Sequence, residues 1–331
     1  MDRYKPPYEI TDMMTTLISD ISEKAARIDA SGQGAAMPHL RRNTQISSIH
    51  SSLRIEANSL TADQVRDVID GKYVAGPASE ILEVKNAYEA YSQIDRIDPY
   101  QISELLRLHG IMTKGLIAES GTYRHGEEGV FNGKQCIFMA PPARLVPSLM
   151  EDLLSWMGEN KSRVHPLILS SVFHYEFVFI HPFADGNGRM ARLWQTLLLA
   201  QWKPIFAYLP VESQIEQYQD DYYKAIADCH AAGSSNVFIE FMLERISEAL
   251  DAFSIQAASE TIDSPYVARL LACMAFGASY SAAELLTLLG LRSRQTLRMH
   301  YLDPAIQEGL VEMTIPEKPS SRNQRYRRTE P

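Results

Sequence analysis

The stretch "HPFADGNGR", His181–Arg189, decides how this chain is read. It sets an imidazole, a carboxylate, a Gly-Asn-Gly turn and a guanidinium within nine residues. Upstream, His174, Phe177, Val178 and His181 follow i, i+3, i+4, i+7 spacing and so share one face of a helix. Pro182 cannot continue that helix, because it has no backbone N–H and its ring collides with the preceding turn. The chain then turns at Gly186 and re-enters a helix at about Asn187 or Gly188. Its glycines carry no Cβ, so a ligand can approach the backbone closely. The new helix offers unpaired N–H groups and the positive end of its dipole, which together form an anion site.

Arg189 and Arg192 are three residues apart and point to the same side of that first turn, which Met190 and Ala191 complete. Cations near a helix N-terminus are disfavoured by about 0.3–1 kcal/mol each. Two of them there make sense if a multiply charged anion fills the space, and a nucleotide polyphosphate fits. Asp185 at the rim can hold a Mg²⁺ that bridges phosphate oxygens. His181 can take a proton from an incoming hydroxyl. Taken singly, each feature has an ordinary reading: a capping histidine, a turn, a solvated basic face. Their order is what carries the information.

In that order the residues resemble the Fic family signature, H-P-F-x-[D/E]-G-N-G-R-x-x-R. His181, Pro182, Phe183, Asp185, Gly186, Asn187, Gly188, Arg189 and Arg192 match every fixed position. The resemblance spans roughly residues 45–250 and includes "LHGIMTKGL", the "GTYR" at Gly121–Arg124, a hairpin, and "DDYYKAI". It implies transfer of AMP from ATP to a hydroxyl side chain (Ser, Thr or Tyr) of a protein, with Mg²⁺. His181 would be the general base and Phe183 the anchor of the loop. Asp185 would hold Mg²⁺. Gly186, Asn187 and Gly188 would line the α-phosphate site, with Met190 and Ala191 in the same turn. Arg189 would hold the β-phosphate side and Arg192 the γ-phosphate. Tyr222 and Tyr223 stand where the family packs adenine; their other reading is a helix's core aromatics. Cys136, Ile137, Phe138 and Met139 would form the flap that clamps the target by strand pairing.

Upstream, "SSLRIEANSLT" resembles the family's inhibitory motif, [S/T]-x-x-x-E-[G/N]. Ser52 and Glu56 match, while Ala57 stands where Gly or Asn is usual. A carboxylate paired with Arg192 would withdraw the group meant for the γ-phosphate.

The rest of the sequence sets bounds. The chain has 331 residues, 45% hydrophobic and 22% charged, with a net charge of −9. That is enough apolar material for sizeable cores, and it argues against a chain devoted wholly to nucleic acid. Cys136, Cys229 and Cys273 form no CxxC and are read as free thiols in a reducing compartment. With no apolar leader and no membrane-length run, the chain is expected to be soluble and cytoplasmic.

Val130-Phe131 and Cys136-Ile137-Phe138 flank Asn132-Gly133, a hairpin signal. Nearly everything else before residue 253 has helical spacing. Residues 254–264 look like a linker. From Ser264 onward, nine Lys and Arg face six Asp and Glu. "LRSRQTLRMHYL" puts Arg292, Arg294 and Arg298 on or beside the second helix of a helix-turn-helix. Lys318, Arg322, Arg325, Arg327 and Arg328 follow as a basic tail. This part resembles the winged-helix domain common in bacterial Fic proteins.

The expectation is therefore a mainly α protein: a Fic (Fido) helical core with a β-hairpin flap. A helical extension covers 1–44, the catalytic domain 45–253 with an inhibitory helix at about 48–58, and the winged helix 264–331. Removal of AMP or another phosphate-group transfer on the same fold stays open, as does a nucleotide-sensing DNA-binding regulator. For the C-terminal domain, duplex DNA, the protein target and a second subunit are all open as partners. Self-modification and a homodimer are compatible with the family.

Overall fold

Residues Pro166–Ile180 are mostly apolar, and they form a helix that is buried almost along its whole length, Ser170, Ser171, His174 and Glu176 included. Pro166 sits at its first turn, where a missing N–H costs nothing. The computed structural model that places it describes residues 4–30, 38–132, 135–260, 265–275, 277–307, 310–319, 321 and 324–329. The side chains of residues 38–40, 130–138, 256–265, 268 and 307 are also outside the description. Chain contacts divide the molecule into two units, Met1–Ser254 and Ile255–Pro331.

In the first unit the helices, in chain order, are α1 Asp12–Ala30, α2 Pro38–Ile55, α3 Ala62–Ile69, α4 Ala78–Tyr91 and α5 Ile102–Met112. The hairpin β1 Gly129–Asn132 and β2 Gln135–Met139 comes next. It is followed by α6 Val146–Asn160, α7 Pro166–Ile180, α8 Asn187–Trp202, α9 Val211–Gln217, α10 Gln219–Ala232 and α11 Asn236–Glu260. The core is built on α7 and α8, which pack along each other. Phe173, Phe177, Phe183 and Trp194 are fully buried around them. Tyr218 leaves helical backbone angles (φ −113°, ψ 39°) and separates α9 from α10.

The N-terminal helix is part of this unit. Met14, Ile21, Ala25 and Ile28 are buried on one face of α1. Lys24 Nζ bonds Ser247 Oγ and Asp251 Oδ2, each at 2.7 Å, on α11. Where a linker was expected, residues 254–260 continue α11; residues 261–264 lie outside the described residues.

The hairpin forms where Asn132-Gly133 signalled it, antiparallel, with a register shift between Val130 and Phe131. Gly133 itself is outside the described residues.

The second unit has its own core, including Leu270, Leu285, Leu297 and Tyr301. Its elements are α12 Pro265–Cys273, β3 Ser279–Ser281, α13 Ala282–Leu289, α14 Arg294–Thr296, a π-helical turn Leu297–Leu302, α15 Asp303–Gln307, β4 Val311–Met313 and β5 Arg325–Arg328. A Ser281/Glu284 capping box starts α13, and Gly290 at φ +65° ends it. The strands form one antiparallel sheet in the order β3-β5-β4. The basic tail is thus no tail: Arg325–Arg328 is the central strand. Arg325 bonds Ser279 and Glu284, Arg327 bonds Glu312 at 2.6 Å, and Arg328 bonds the Leu271 carbonyl at 3.1 Å. Arg322 is outside the described residues. Arg292, Arg294 and Arg298 are exposed on the second helix and the turn before it, with Arg298 3.4 Å from Asp303.

Candidate active site

His181 caps α7. Its N–H donates to the Phe177 carbonyl at 2.9 Å, and its backbone lies at φ 52°, ψ 59°. That left-handed conformation costs a non-glycine residue about 1–3 kcal/mol, so the surroundings must impose it. Pro182 stops the helix, and the strained turn leaves the imidazole lining a cavity of about 610 Å³. Burial lowers the His181 pKa below its ordinary value.

The loop that follows is held by its own side chains. Asn187 folds back on Phe183: Oδ1 accepts from the Phe183 N–H at 3.0 Å and Nδ2 donates to the Phe183 carbonyl at 2.7 Å. The amide of Asn187 is spent on the loop, so what it offers an anion is backbone. Phe183 is fully buried and stacked on His109, with centroids 3.6 Å apart and planes 3° apart. His109 accepts from the Gly121 N–H at Nδ1 (3.0 Å) and donates from Nε2 to the Asp185 carbonyl (3.0 Å). Those two bonds fix the neutral tautomer, and burial takes its pKa down to about 4. Gly186 must be glycine here: it lies at φ +84°, and a Cβ would come 3.0 Å from Thr113 Cγ2.

At the start of α8, the N–H groups of Asn187, Gly188 and Arg189 have no partner within the helix. Both arginines are buried, with side chains only 4% and 1% exposed. Arg189 reaches Asp185 Oδ2 at 2.7 Å and faces Glu83 Oε1 at 3.8 Å. Arg192 donates from Nε to Ser52 Oγ at 3.0 Å, and from Nη2 to the Ser52 carbonyl at 2.9 Å and Glu56 Oε1 at 2.7 Å. Arg192 Nη1 and Arg189 Nε and Nη1 are buried without a hydrogen-bond partner among the described residues, so donors remain for a further anion. Burial pulls the Arg192 pKa down, but Glu56, with Tyr222 and Tyr91 beside it, offsets this and it ends raised.

Glu56 sits over the first turn of α8. A Cβ on Gly188 would lie 2.2 Å from its Oε1. The carboxylate thus occupies the approach to the helix N-terminus, where an anion from solution would bind. Further contacts seat α2. Ser51 and Ser213 hydroxyls meet at 3.1 Å, and Gln219 Nε2 donates to the Ile55 carbonyl at 3.1 Å.

The cavity extends from Glu56, Gly188 and Arg192 past Tyr222 and Tyr223 to Ile226 and Ala227. Tyr222 is buried, and its hydroxyl donates to His174 Nε2 at 3.0 Å, while Nδ1 of that histidine meets Gln195 Oε1 at 2.5 Å. Tyr222 is therefore a core aromatic that also edges the cavity. Tyr223 is half exposed and presents its ring to it. Of the flap residues, Met139 is exposed; the side chains of Cys136, Ile137 and Phe138 lie outside the described residues.

Asp185 tests whether the site suits Mg²⁺. Burial raises its pKa, but Arg189 and the Gly186 N–H outweigh that and keep it lowered, so it is ionised. Its side chain is 51% exposed. No group of three metal-ligating side chains exists among the described residues. A single ionised, half-exposed carboxylate suits a Mg²⁺ that keeps its waters and arrives on phosphates, not one in an all-protein cage.

Sequence reading missed two residues that build this site. His109 lies in "LHGIMTKGL" and Arg124 in "GTYR", both quoted for the resemblance but given no role. Arg124 is buried and donates from Nε to the His181 carbonyl at 2.6 Å.

Known proteins resemble this chain along most of its length. Residues 97–199 match the Fic/DOC family. Residues 265–329 match the family described as Filamentation induced by cAMP protein Fic-like, C-terminal domain. Curated relatives named Protein adenylyltransferase Fic include one from Nematostella vectensis, 26% identical over 72% of this chain and 55% of its own length. Another, from Drosophila melanogaster, is 27% identical over 66% and 44%. The chain spans about half the length of the curated relatives it matches. Fic-1 (residues 134–508) from C. elegans shares the fold, with TM-score 0.58 and 21% identity over 75% of this chain and 72% of that one. The crystal structure of a Fic family protein from Desulfovibrio desulfuricans G20 covers 99% of both chains at TM-score 0.73 and 43% identity. That likeness along the whole chain, joined to the complete loop motif, makes this chain a member of the Fic family.

Proposed function

We propose that the chain transfers AMP from ATP to a hydroxyl side chain of a protein and is held inactive by Glu56. One observation carries this reading: His181, the N-terminal turn of α8 and the buried Arg192 all line a single cavity. In the transfer, the target hydroxyl oxygen attacks the α-phosphorus and its proton passes to His181. The bond from that phosphorus to the α–β bridging oxygen breaks, and pyrophosphate leaves. The backbone of Gly186–Gly188 faces the α-phosphate, Arg189 the β-phosphate and Arg192 the γ-phosphate, with Met190 and Ala191 in the turn that spaces them. Tyr222 and Tyr223 border the base. Asp185 would hold a Mg²⁺ brought by the nucleotide, whose charge neutralises the phosphates. The hairpin offers open strand edges to a target segment.

Glu56 and the γ-phosphate compete for one guanidinium, and the 2.7 Å contact supports this. A charge-assisted bond of this kind is worth on the order of 1.5–3 kcal/mol, and each 1.36 kcal/mol is about tenfold in rate. Glu56→Gly should therefore raise self-labelling from α-labelled ATP by roughly 10- to 100-fold. Arg192→Ala should not imitate it, since that removes the inhibitor's partner and the phosphate ligand together. Glu56→Gly/His181→Ala should be silent. Equal labelling of wild type and Glu56→Gly would end the inhibitory reading, and labelling by the double variant would end the role of His181. Removal of AMP is the second reading, favoured by Glu56 lining the same cavity as His181. Release of label from a pre-modified protein by the wild type, lost in Glu56→Gly, would select it.

A further inference from the structure

Arg124 stands outside the loop motif, yet its buried guanidinium spends its donors on backbone carbonyls from two separate segments. Nε donates to His181 at 2.6 Å, and Nη2 to Pro141 at 2.5 Å and Ile180 at 3.4 Å. Nη1 donates to Gly126 at 2.7 Å, and the Arg124 N–H donates to the Pro182 carbonyl at 2.9 Å. Gly126 and Pro141 flank the hairpin, one just before β1 and the other just after β2. Between them the Ala140 N–H donates to the Glu128 carbonyl at 3.0 Å and closes the hairpin base. Ile180, His181 and Pro182 are the end of α7 and the strained turn that carries the imidazole. A planar guanidinium can hold several carbonyls at fixed angles, and a lysine ammonium cannot.

We propose that Arg124 is a positioning residue that locks the base of the hairpin to the His181–Pro182 turn, so that one side chain sets the spacing between a strand bound on the hairpin and the imidazole. This rests on His181 as general base and on the hairpin as the target-binding flap. A two-stranded ribbon anchored at one end by a short turn swings easily, and its register toward His181 is then only as good as that anchor. Misplacement of reacting groups by about 1 Å can cost on the order of 100-fold. The clamp also fixes His181 in its left-handed conformation, since its carbonyl is gripped on one side and its N–H is bonded to Phe177 on the other.

The test uses the full chain carrying Glu56→Gly as parent, with Arg124→Lys and Arg124→Gln added. Amide exchange over residues 126–128 and 139–140, at the hairpin base, and over 180–181, at the turn, should rise together in both variants. Self-labelling at saturating ATP should fall on the order of 10- to 100-fold. The His181 imidazole, followed by NMR, is faced by Arg124, Glu128 and Glu56. Arg124→Gln removes a cation, so that imidazole should titrate at higher pH than in the parent, while Arg124→Lys should stay close to it. A lysine variant that loosens both segments at near-parental titration supports the clamp. Faster exchange in one segment only, or labelling within twofold of the parent, overturns it, and if the glutamine variant does not fold the lysine variant decides. Exchange needs no catalysis, so a parent that fails to label defeats the adenylyl-transfer reading while the coupling is still decided by exchange.

Discussion

Each charged group in the site already faces a counter-charge. Glu56 neutralises Arg192 and Asp185 neutralises Arg189. His181 faces a mixed field. Burial lowers its pKa most, Arg124 lowers it further, and Glu128 and Glu56 pull the other way. The net shift is downward from 6.5, so the imidazole is a neutral base at neutral pH. The sign of the pH dependence follows. A base with a depressed pKa stays competent as the pH drops toward 6.5 and is lost only below it. In Glu56→Gly the carboxylate that raises this pKa is gone, which moves the loss lower still. The initial rate of self-labelling by that variant should stay flat down to pH 6.5 and fall by about tenfold per pH unit only once the pH is below the lowered pKa. An acid limb centred above 6.5 would remove His181 as the titrating base.

Among the elements, the end of α2 shows why Ala57 matters. The Asn58 N–H reaches the Leu53 carbonyl at 3.1 Å and the Ala57 N–H reaches the Arg54 carbonyl at 3.0 Å, the paired bonds of a Schellman cap. Glu56 is the cap residue, and Ala57 must take φ 66°, a position that glycine fills without strain. The left-handed conformation costs alanine about 1–2 kcal/mol, and glycine gives back part of that in unfolded-chain entropy. Ala57→Gly should therefore stabilise the unit by about 0.5–1 kcal/mol, raise its melting temperature by roughly 1–4 °C, and lower basal labelling about two- to fivefold. A lower melting temperature or higher labelling would show that the strain is not relieved there. The same contrast explains what the sequence could tell. The loop motif, the Asn132-Gly133 hairpin and the long helices rest on local spacing, and they were legible. His109 acts on Asp185 across 76 residues and Arg124 on His181 across 57, and neither has a local signature. Arg325–Arg328 read as a tail because its strand exists only through its neighbours on both sides, Val311–Met313 and the more distant Ser279–Ser281.

For the molecule as a whole, the question is how much of the chain the chemistry needs. Every residue assigned to the site lies between Ser52 and Tyr223, inside the first unit. The last core residue of that unit on α11 is Phe253, and the side chains of the second unit close on a core of their own. Much of the basic charge that made the C-terminal part look like a nucleic-acid surface is spent internally. Arg269 holds the Leu289 carbonyl at 2.7 Å, and Arg325, Arg327 and Arg328 bond within the sheet or to Leu271. The exposed arginines Arg292, Arg294 and Arg298 remain for whatever partner this unit meets. None of them contributes to the cavity. A chain carrying Glu56→Gly and ending at Ser254 should therefore fold cooperatively. Its helical signal should fall only by the helices of the second unit and the final turns of α11. It should label itself from α-labelled ATP within about twofold of the full-length Glu56→Gly chain, since no term in the transition-state stabilisation has been removed. A truncated chain that folds but loses labelling tenfold or more would mean that the second unit supplies the acceptor hydroxyl or presents it. Adding the full-length Glu56→Gly/His181→Ala chain to the truncated enzyme separates those two cases: label appearing on the inactive chain makes the second unit the substrate, and no label makes it the scaffold.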